Sequence, residues 1–405
     1  MKIEHMPAEF QAALPILETI EAAGFEAYFV GGSVRDTLLG KPIHDVDIAT
    51  SAYPEEVKAL FDRTVDTGIQ HGTVMILDHG TGYETTTFRT ESTYTDFRRP
   101  DEVTFVRSLA EDLKRRDFTV NAFALTKEGE VIDMFDGLTD LHNQVLRAVG
   151  AAEERFHEDA LRMMRAVRFA AQLGFEIEAQ TLTAITENAP LLANIAIERI
   201  NVEFTKLLQG KAAKYGVLEM VATKLHQFMP GLQDAAGDLT AYAQLLEQDQ
   251  SQTDTAAWTL LAFELGLDAK ATGQFLKLWK HANDLIKQAK ASIELLAKIQ
   301  LNTVTAWDLY ATHEAIDNAL AVAQLSELDA DVPAMQVAYH NLTIKNKAEL
   351  AFNGGNLTQE LQLKPGPLFG KILATLEREV VAGTLPNTHD ALLAAATEMV
   401  EKAKN

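Results

Sequence analysis

Alternating apolar and polar residues divide the first 150 positions into short strands and helices. The apolar, aromatic run Tyr28–Val30 favours a strand, and an amphipathic helix is predicted before it over Pro7–Ala23, ended by Gly24. Strand patterns recur at Thr73–Leu77 and Tyr83–Phe88, where a loop containing two glycines joins them as a hairpin. The pattern therefore predicts an α+β region, a mixed sheet with helices, at the N-terminus.

Helical periodicity replaces the strand patterns in the remainder of the chain. Arg155–Phe169 interleaves apolar and charged residues without Gly or Pro, which predicts one continuous helix. Beyond residue 211 the sequence indicates helices joined by short polar loops, the last over Ala391–Lys404. We expect four parts: a head of residues 1–148, a neck of 149–210, a body of 211–330 and a tail of 331–405.

One stretch of the predicted body has a regular row of lysines. If Gln274–Gln300 is a single helix, five lysines fall on one face: Lys277, Lys280, Lys287, Lys290 and Lys298. Such a stripe could contact a phosphate backbone or could be a solvated surface, and the sequence leaves both interpretations open.

Composition excludes several classes of protein. A chain of 405 residues is too long for one core, and the absence of cysteine excludes a disulfide framework and a thiolate metal site. No stretch is apolar enough to cross a membrane and the first residues lack the apolar core of a signal peptide, so we expect a cytoplasmic protein. Because the formal net charge is −22, any polynucleotide must be bound by local clusters of basic residues.

A glycine turn follows the first predicted strand. Gly31 and Gly32 allow the backbone to turn sharply and to approach a ligand closely. Ser33 is a candidate N-cap for a short helix over Val34–Leu39, with Gly40 as its end. A glycine turn that opens a helix presents free N–H groups, so this segment predicts a phosphate-binding site.

A carboxylate pair follows the turn at once. Asp45 and Asp47 are two residues apart on a predicted strand, so both side chains project from one face. Carboxylates are hard oxygen ligands suited to Mg²⁺, and a phosphate cradle beside them indicates phosphoryl transfer. The strand alternation could bring Glu84 to the same face as a third ligand, or leave it as an exposed strand carboxylate.

Two further motifs combine arginine with acidic residues. In the first, Arg115 and Arg116 could neutralise a triphosphate or hold a sugar hydroxyl, while a solvated charge run is the alternative. In the second, Asp159 and Arg162 are neighbours on the predicted helix and Arg165 and Arg168 continue the row. A structural ladder of ion pairs is the alternative there.

Taken in order, these motifs resemble those of the DNA polymerase β-like nucleotidyltransferases, and most closely the class II CCA-adding enzymes of the Firmicute type. The segments that carry the resemblance are Gly31-Gly32 with Asp45-x-Asp47, the loop Tyr94–Pro100, Arg115-Arg116-Asp117-Phe118-Thr119-x-Asn121-Ala122, Glu158-Asp159-x-x-Arg162-x-x-Arg165 and Glu198-Arg199-Ile200-x-x-Glu203. A weaker match is Pro365-Gly366-Pro367. In the last of the five strong motifs, Arg199 between two acids indicates a network that braces the neighbouring helix, with direct substrate contact as the alternative.

The resemblance implies addition of C, C and A to the 3′ end of tRNA from CTP and ATP, with release of pyrophosphate. The catalytic residues would be Asp45, Asp47 and Glu84, with Mg²⁺ held by Asp45 and Asp47. The nucleotide would be bound by Gly31, Gly32, Ser33, Arg35, Arg116, Asp159, Arg162, Arg165 and Arg168. The helical C-terminal half would hold the acceptor stem and elbow of tRNA.

Base choice by Asp159 and Arg162 has a chemical reason within that resemblance. Cytosine and adenine both present an amino donor beside a ring-nitrogen acceptor, whereas uracil and guanine present the reverse. An aspartate that accepts and an arginine that donates would thus admit C and A. A poly(A) polymerase, an enzyme that adds only A, and a non-catalytic RNA-binding protein stay open as alternatives. The oligomeric state is open too, with a homodimer among the options.

Overall fold

The computed structural model describes residues 1–91, 103–246 and 253–404. The predicted loop Tyr94–Pro100 lies outside the described residues. Contacts between Cα atoms divide the chain into two compact units, the first of Met1–Ala243 and the second of Gln244–Leu246 with residues 253–404. The predicted boundaries at residues 148, 210 and 330 stay predictions.

A seven-stranded mixed sheet forms the centre of the N-terminal part of the first unit. Its strands are β1 (Ala27–Val30), β2 (Asp47–Thr50), β3 (Thr64–Gly68), β4 (Thr73–Asp78), β5 (Thr81–Thr87), β8 (Phe123–Leu125) and β9 (Val131–Asp133), in the order β3-β4-β5-β2-β1-β8-β9. Two small two-stranded sheets pair β6 (Arg89–Glu91) with β7 (Val103–Phe105) and β10 (Val145–Leu146) with β11 (Glu176–Ile177). Only β2 and β5 are parallel neighbours in the large sheet. The predicted α+β head is therefore confirmed.

Helices cover this sheet and extend beyond it. They are α1 (Ala8–Ala22), α2 (Gly32–Leu38), α3 (Pro54–Leu60), α4 (Leu109–Lys114), α5 (Gly137–Asn143), α6 (Ala152–Glu158), α7 (Leu161–Leu173), α8 (Ala179–Asn188), α9 (Ile197–Leu208), α10 (Ala213–Ala222) and α11 (Ala236–Leu245). Short 3₁₀ turns occur at Ile69–His71, Thr119–Asn121, Ala189–Asn194 and Leu225–Phe228. The apolar face of α1 packs on β1, where the Phe10 and Phe29 rings stack with centroids 4.6 Å apart. This packing fixes β1, from which the glycine turn starts.

The segment predicted as one helix over Arg155–Phe169 is two helices. The backbone is extended at Asp159, with φ −139° and ψ 103°, between α6 and α7. The Asp159 carboxylate accepts a hydrogen bond from the Leu161 N–H at 3.0 Å. Aspartate competes in this way with the helical hydrogen-bond pattern. The prediction of one helix considered only the absence of Gly and Pro, so it missed this local effect.

The second unit is built from helices. They are α12 (Asp254–Glu264), α13 (Ala269–Leu278), α14 (Asn283–Gln300), α15 (Ala306–Thr312), α16 (Ile316–Leu325), α17 (Val332–His340), α18 (Gly354–Glu360), α19 (Pro367–Val381) and α20 (His389–Lys404), with 3₁₀ turns at His313–Ala315 and Lys347–Glu349. Buried Trp258 and Trp279 pack edge to face in one part of its core. Phe352, Leu376 and Leu392 belong to another cluster. Among the described residues no helix has the length and apolar character needed to span a membrane.

The single helix over Gln274–Gln300, on which the lysine row depended, does not form. Helix α13 ends at Leu278, Lys280 takes a left-handed backbone with φ 62°, and α14 begins at Asn283. The proposed row of five lysines therefore does not lie on one helical face. Of the five, only Lys287, Lys290 and Lys298 share α14.

Candidate active site

The glycine turn and the carboxylate pair meet at one end of neighbouring strands. Val30, the last residue of β1, is paired with Asp47, the first residue of β2. Gly31 follows with φ 71°, a conformation that L side chains rarely adopt. A Cβ at Gly31 would also lie 2.9 Å from Nη1 of Arg116. Glycine is therefore required where the chain turns toward Arg116.

Ser33 does not cap the helix as predicted. Helix α2 begins one residue before it, at Gly32, and Gly31 occupies the N-cap position without a side-chain bond. The buried Ser33 hydroxyl instead donates to the Val30 carbonyl at 3.1 Å. Gly31 rather than Ser33 is the N-cap residue because the turn needs a positive φ at that position. The first-turn N–H groups of α2 still lack acceptors within the helix, as at any helix start.

Three carboxylates lie near one another at this end of the sheet, two on neighbouring strands and one just before the first of them. Glu84 on β5 is the register partner of Asp47 on the parallel β2, so both side chains project from the same face. Asp45 precedes β2 rather than lying on it, and all three residues are exposed. Loss of solvation raises the pKa of Asp47; Arg116 opposes this effect, and Glu84 and Asp45 add to it. The site thus concentrates negative charge.

The carboxylates suit a hard divalent cation, but they do not form a complete protein cage. Among the described residues no three His, Cys, Asp or Glu side chains are grouped closely enough to hold a metal ion. Two carboxylates with further oxygen ligands from a substrate are a typical donor set for Mg²⁺, which retains several non-protein ligands. Asp45 and Asp47 fit this role, and Glu84 is an anionic neighbour of Asp47.

A cleft of about 510 Å³ brings most of the predicted site together. Nine of the twelve predicted residues line it: Gly31, Gly32, Arg35, Asp47, Arg116, Asp159, Arg162, Arg165 and Arg168. Ser33, Asp45 and Glu84 lie outside this lining set. The lining comes from α2, β2, α7, α9 and the segment after α4, although these parts are up to 175 residues apart in sequence.

Acidic residues hold the arginines of the cleft in place. Asp112 accepts from both Arg115 (2.8 Å) and Arg116 (3.3 Å), and Arg35 donates to Asp36 at 2.9 Å. Asp117 is 2.6 Å from Arg165 in its ion pair. Burial alone would raise the pKa of Asp117, but Arg165 and the amide of Asn121 bring it to about 2. The alternative of a solvated charge run does not describe these buried pairs.

The surroundings of Arg168 differ from those of the other arginines. Its Nε lies 2.6 Å from the buried Glu203 carboxylate, and its guanidinium lies 3.7 Å from the centre of the Phe169 ring. Burial lowers the pKa of Arg168 to about 10, with Glu203 opposing the shift. The guanidinium is thus rigidly placed and poorly hydrated, which favours contact with a polar ligand.

Asp159 and Arg162 line the same cleft, yet each has a different ionic partner. Arg199 on α9 donates to both carboxylate oxygens of Asp159, at 2.6 and 3.3 Å. Arg162 donates to Glu158 at 2.8 Å and to the Arg115 carbonyl at 2.9 Å. The predicted side-by-side placement on one helical face is wrong, because Asp159 lies in the break between two helices. The bracing network predicted for Arg199 acts directly on Asp159.

Sequence reasoning missed two residues of the cleft, Phe169 and Lys206. Phe169 follows Arg168 in the motif helix, and the guanidinium groups of Arg35, Arg165 and Arg168 all lie within 5.2 Å of its ring centre. An aromatic residue adjacent to an arginine row was a usable signal. Lys206 lies three residues after Glu203, beyond the last motif, and helical spacing alone could have indicated it.

Known protein families match successive parts of this chain. Three family models match in succession: the poly A polymerase head domain over residues 27–147, the probable RNA and SrmB-binding site of polymerase A over 174–235, and the putative tRNA nucleotidyltransferase domain 2 over 249–396. The CCA-adding enzyme of Limosilactobacillus fermentum is 56% identical over 402 residues, covering 99% of this chain and 100% of that protein. That of Lactiplantibacillus plantarum is 56% identical over 408 residues, covering 100% of both chains.

Solved structures show the same likeness. The crystal structure of the Bacillus stearothermophilus CCA-adding enzyme in complex with CTP matches with a TM-score of 0.87 and 39% identity, covering 98% of this chain and 99% of that one. The Thermotoga maritima enzyme complexed with tRNA shares the fold at a TM-score of 0.66 and 20% identity, covering 98% and 97%. With the cleft, the ordered motifs and full-length relatives in agreement, the chain belongs to the CCA-adding enzymes, a family of generally metal-dependent nucleotidyltransferases.

Proposed function

We propose that this protein adds C, C and A to the 3′ end of tRNA, using CTP and ATP and releasing pyrophosphate. The observation that carries the proposal is the cleft in which the glycine turn, Asp47 and the arginines of two distant motifs line one space. Full-length relatives named CCA-adding enzymes support the same reaction. The cytoplasmic location and the homodimer stay predictions.

In the proposed reaction the 3′-oxygen of tRNA bonds to the α-phosphorus of the nucleotide. The bond between the α-phosphorus and the β-phosphate oxygen breaks, pyrophosphate leaves with the electron pair, and the hydroxyl proton passes to solvent. Asp45 and Asp47 would hold Mg²⁺, which supplies positive charge to the phosphates and acidifies the attacking hydroxyl. Glu84 would tune the charge at Asp47, its neighbour in the sheet.

The triphosphate is proposed to bind at the glycine turn. Helix α2 begins at Gly32, both Gly31 and Gly32 line the cleft, and helix N-termini favour anions. Ser33 would contribute its N–H rather than its hydroxyl, which Val30 already accepts. Arg35 and Arg116 add positive charge next to the turn. A Cβ placed on Gly32 or on Gly31 would lie within 3.6 Å of an Nη atom of Arg35 or of Arg116, respectively.

Asp159 and Arg162 are proposed to choose the base, at the end of the arginine row that lies away from the glycine turn. The Asp159 carboxylate can accept from the amino group of C or A, and Arg162 can donate to the neighbouring ring nitrogen. Arg165 and Arg168 would hold the sugar, the phosphates or the base-reading residues. Because the residues proposed for the chemistry line the cleft of the first unit, we assign tRNA stem and elbow binding, rather than chemistry, to the helical remainder.

A poly(A) polymerase would share the head, and the head model bears that name. The two functions differ in product length, so the decisive assay uses tRNA that ends before CCA, with each nucleoside triphosphate alone and then CTP with ATP. We expect addition of C, C and A and no further residues. A long A tract would instead support the polymerase, and addition of A alone to tRNA that already ends in CC would support the partial enzyme.

The metal assignment needs a separate test. Asp45→Ala should abolish incorporation while tRNA binding, measured by gel shift, stays close to that of the unchanged protein, because Asp45 is an exposed residue before β2. The matched control is Asp66→Ala, an exposed carboxylate on β3 of the same sheet. Retained incorporation by Asp45→Ala would refute the ligand assignment and would exclude the mechanism above.

A further inference from the structure

The cations that line the cleft differ in whether an acidic residue holds them. Each of the six lining arginines forms an ion pair with a carboxylate of this chain: Arg35, Arg115, Arg116, Arg162, Arg165 and Arg168. Lys206 is the seventh cationic residue of the lining, and it is exposed to solvent. Within the described ranges its side chain has no ion pair or hydrogen bond. Lys206 is therefore the lining cation that a ligand can bind without displacing an internal partner.

The position of Lys206 follows from the pairing of α7 with α9. Arg199 near the start of α9 contacts Asp159 just before α7, and Glu203 contacts Arg168 farther along both helices. Lys206 lies three residues after Glu203, on the same face of α9. The row thus begins at the proposed base reader, Asp159, and ends at Lys206.

Arg168, whose partner Glu203 lies one helical turn before Lys206, is linked to the glycine turn through Phe169 and Arg35. Arg168 and Arg35 both lie against the Phe169 ring, at 3.7 and 5.2 Å from its centre. Arg35 in turn lies beside Gly32, where an added Cβ would be 3.6 Å from its Nη2 atom. A nucleotide whose base contacts Asp159 would therefore extend its phosphates toward the part of the cleft that Lys206 shares with Arg168.

We propose that Lys206 binds the terminal phosphates of the incoming CTP or ATP, and the pyrophosphate before it leaves. The inference rests on the proposed function, because it takes its direction from the base at Asp159. A lysine suits this role, since its ammonium is a mobile point charge that can follow a phosphate group as the bond to the α-phosphate breaks. The arginines, fixed by acids and by Phe169, hold the less mobile part of the nucleotide.

The test compares triphosphate with monophosphate binding to the full-length protein. Equilibrium dialysis with Mg²⁺ measures Kd for CTP and for CMP in the absence of tRNA, with inorganic pyrophosphate as a competitor. Lys206→Gln should weaken CTP binding about fivefold to tenfold and leave CMP binding unchanged, as expected for loss of one exposed charge-assisted bond. Pyrophosphate should lose affinity to a similar degree. Lys206→Arg should restore most of the CTP affinity.

The control is Lys114→Gln, which removes an exposed lysine next to the arginine motif that does not line the cleft. It should leave CTP binding unchanged. Unchanged CTP binding in Lys206→Gln, or equal losses for CTP and CMP, would overturn the proposal. So would a loss confined to tRNA affinity, which would assign Lys206 to the polynucleotide. If the unchanged protein fails to prefer CTP over UTP, the proposed function itself is wrong, and that result is separable from the Lys206 comparison.

Discussion

Replacing Arg199 tests whether an internal ion pair controls base choice. Its guanidinium donates two bonds to Asp159, at 2.6 and 3.3 Å, and the two side chains are 29% and 17% exposed. Charge-assisted hydrogen bonds contribute roughly 1.5–3 kcal/mol, and partial exposure favours the lower end. Arg199→Met keeps the aliphatic stem and removes the fork. Asp159 then retains only the Leu161 N–H among these contacts.

We expect this change to free Asp159 to rotate, so that discrimination of C and A against U and G falls about tenfold, equivalent to about 1.4 kcal/mol. The assay measures kcat/KM for CTP, ATP, UTP and GTP on trimmed tRNA, with thermal unfolding of the same samples. Arg199→Lys should restore discrimination only in part, because an ammonium cannot form the two parallel bonds. Glu198→Gln, an exposed neighbour on α9, is the control.

The positioning role of Arg199 is excluded if Arg199→Met lowers kcat/KM equally for all four nucleotides. An equal loss would show that Arg199 supports the fold around α7 without affecting the orientation of Asp159. Thermal unfolding separates these cases, since a purely structural role predicts a lower Tm together with unchanged ratios between nucleotides. A changed ratio at an unchanged Tm would support the positioning role.

Two further predictions follow from the charges of the first unit. Glu84→Gln should raise the Mg²⁺ concentration for half-maximal activity about tenfold, because Glu84 is the neighbour of the proposed metal ligand Asp47. A complete loss of activity would show instead that Glu84 is itself a ligand. Asp117 has a pKa of about 2 in the folded protein, below its ordinary value of 3.8, so its stabilisation is present above pH 4 and is lost as pH falls toward 2. That loss amounts to roughly 2 kcal/mol, and urea unfolding of the unchanged protein and of Asp117→Asn between pH 5 and 2.5 should show a shallower pH dependence in the variant.

The sequence predicted the fold where short-range patterns decide it. Alternation located the strands of the hairpin, and Gly24 and Gly40 ended the first two helices with the left-handed backbone expected of them. The failures at Asp159 and Lys280 have different causes but share the absence of a sequence signal. A side-chain bond to the backbone at Asp159, and a left-handed residue at Lys280, interrupt helices without the glycine or proline that marks such breaks.

Site residues could be predicted where a motif carried them, but their partners could not. The pairing of Asp159 with Arg199 joins residues 40 positions apart, and that of Asp117 with Arg165 joins residues 48 apart. No periodicity within one element reports such contacts. They depend on how α7 packs against α9 and against the segment after α4, and this packing is decided by the buried apolar faces of the helices.

The paired arginines also explain how an acidic protein can bind an anionic nucleotide. Seven cationic and three acidic side chains line the cleft, while further acids such as Asp112 and Glu203 lie behind the arginines. The acids behind the lining offset the repulsion between closely packed guanidinium groups, so the donors stay in place before a ligand arrives. Preformed donors need little reorganisation on binding, which makes each bond to a phosphate or base more effective. The net charge of −22 therefore limits binding of nucleic acid over the whole surface without weakening the cleft.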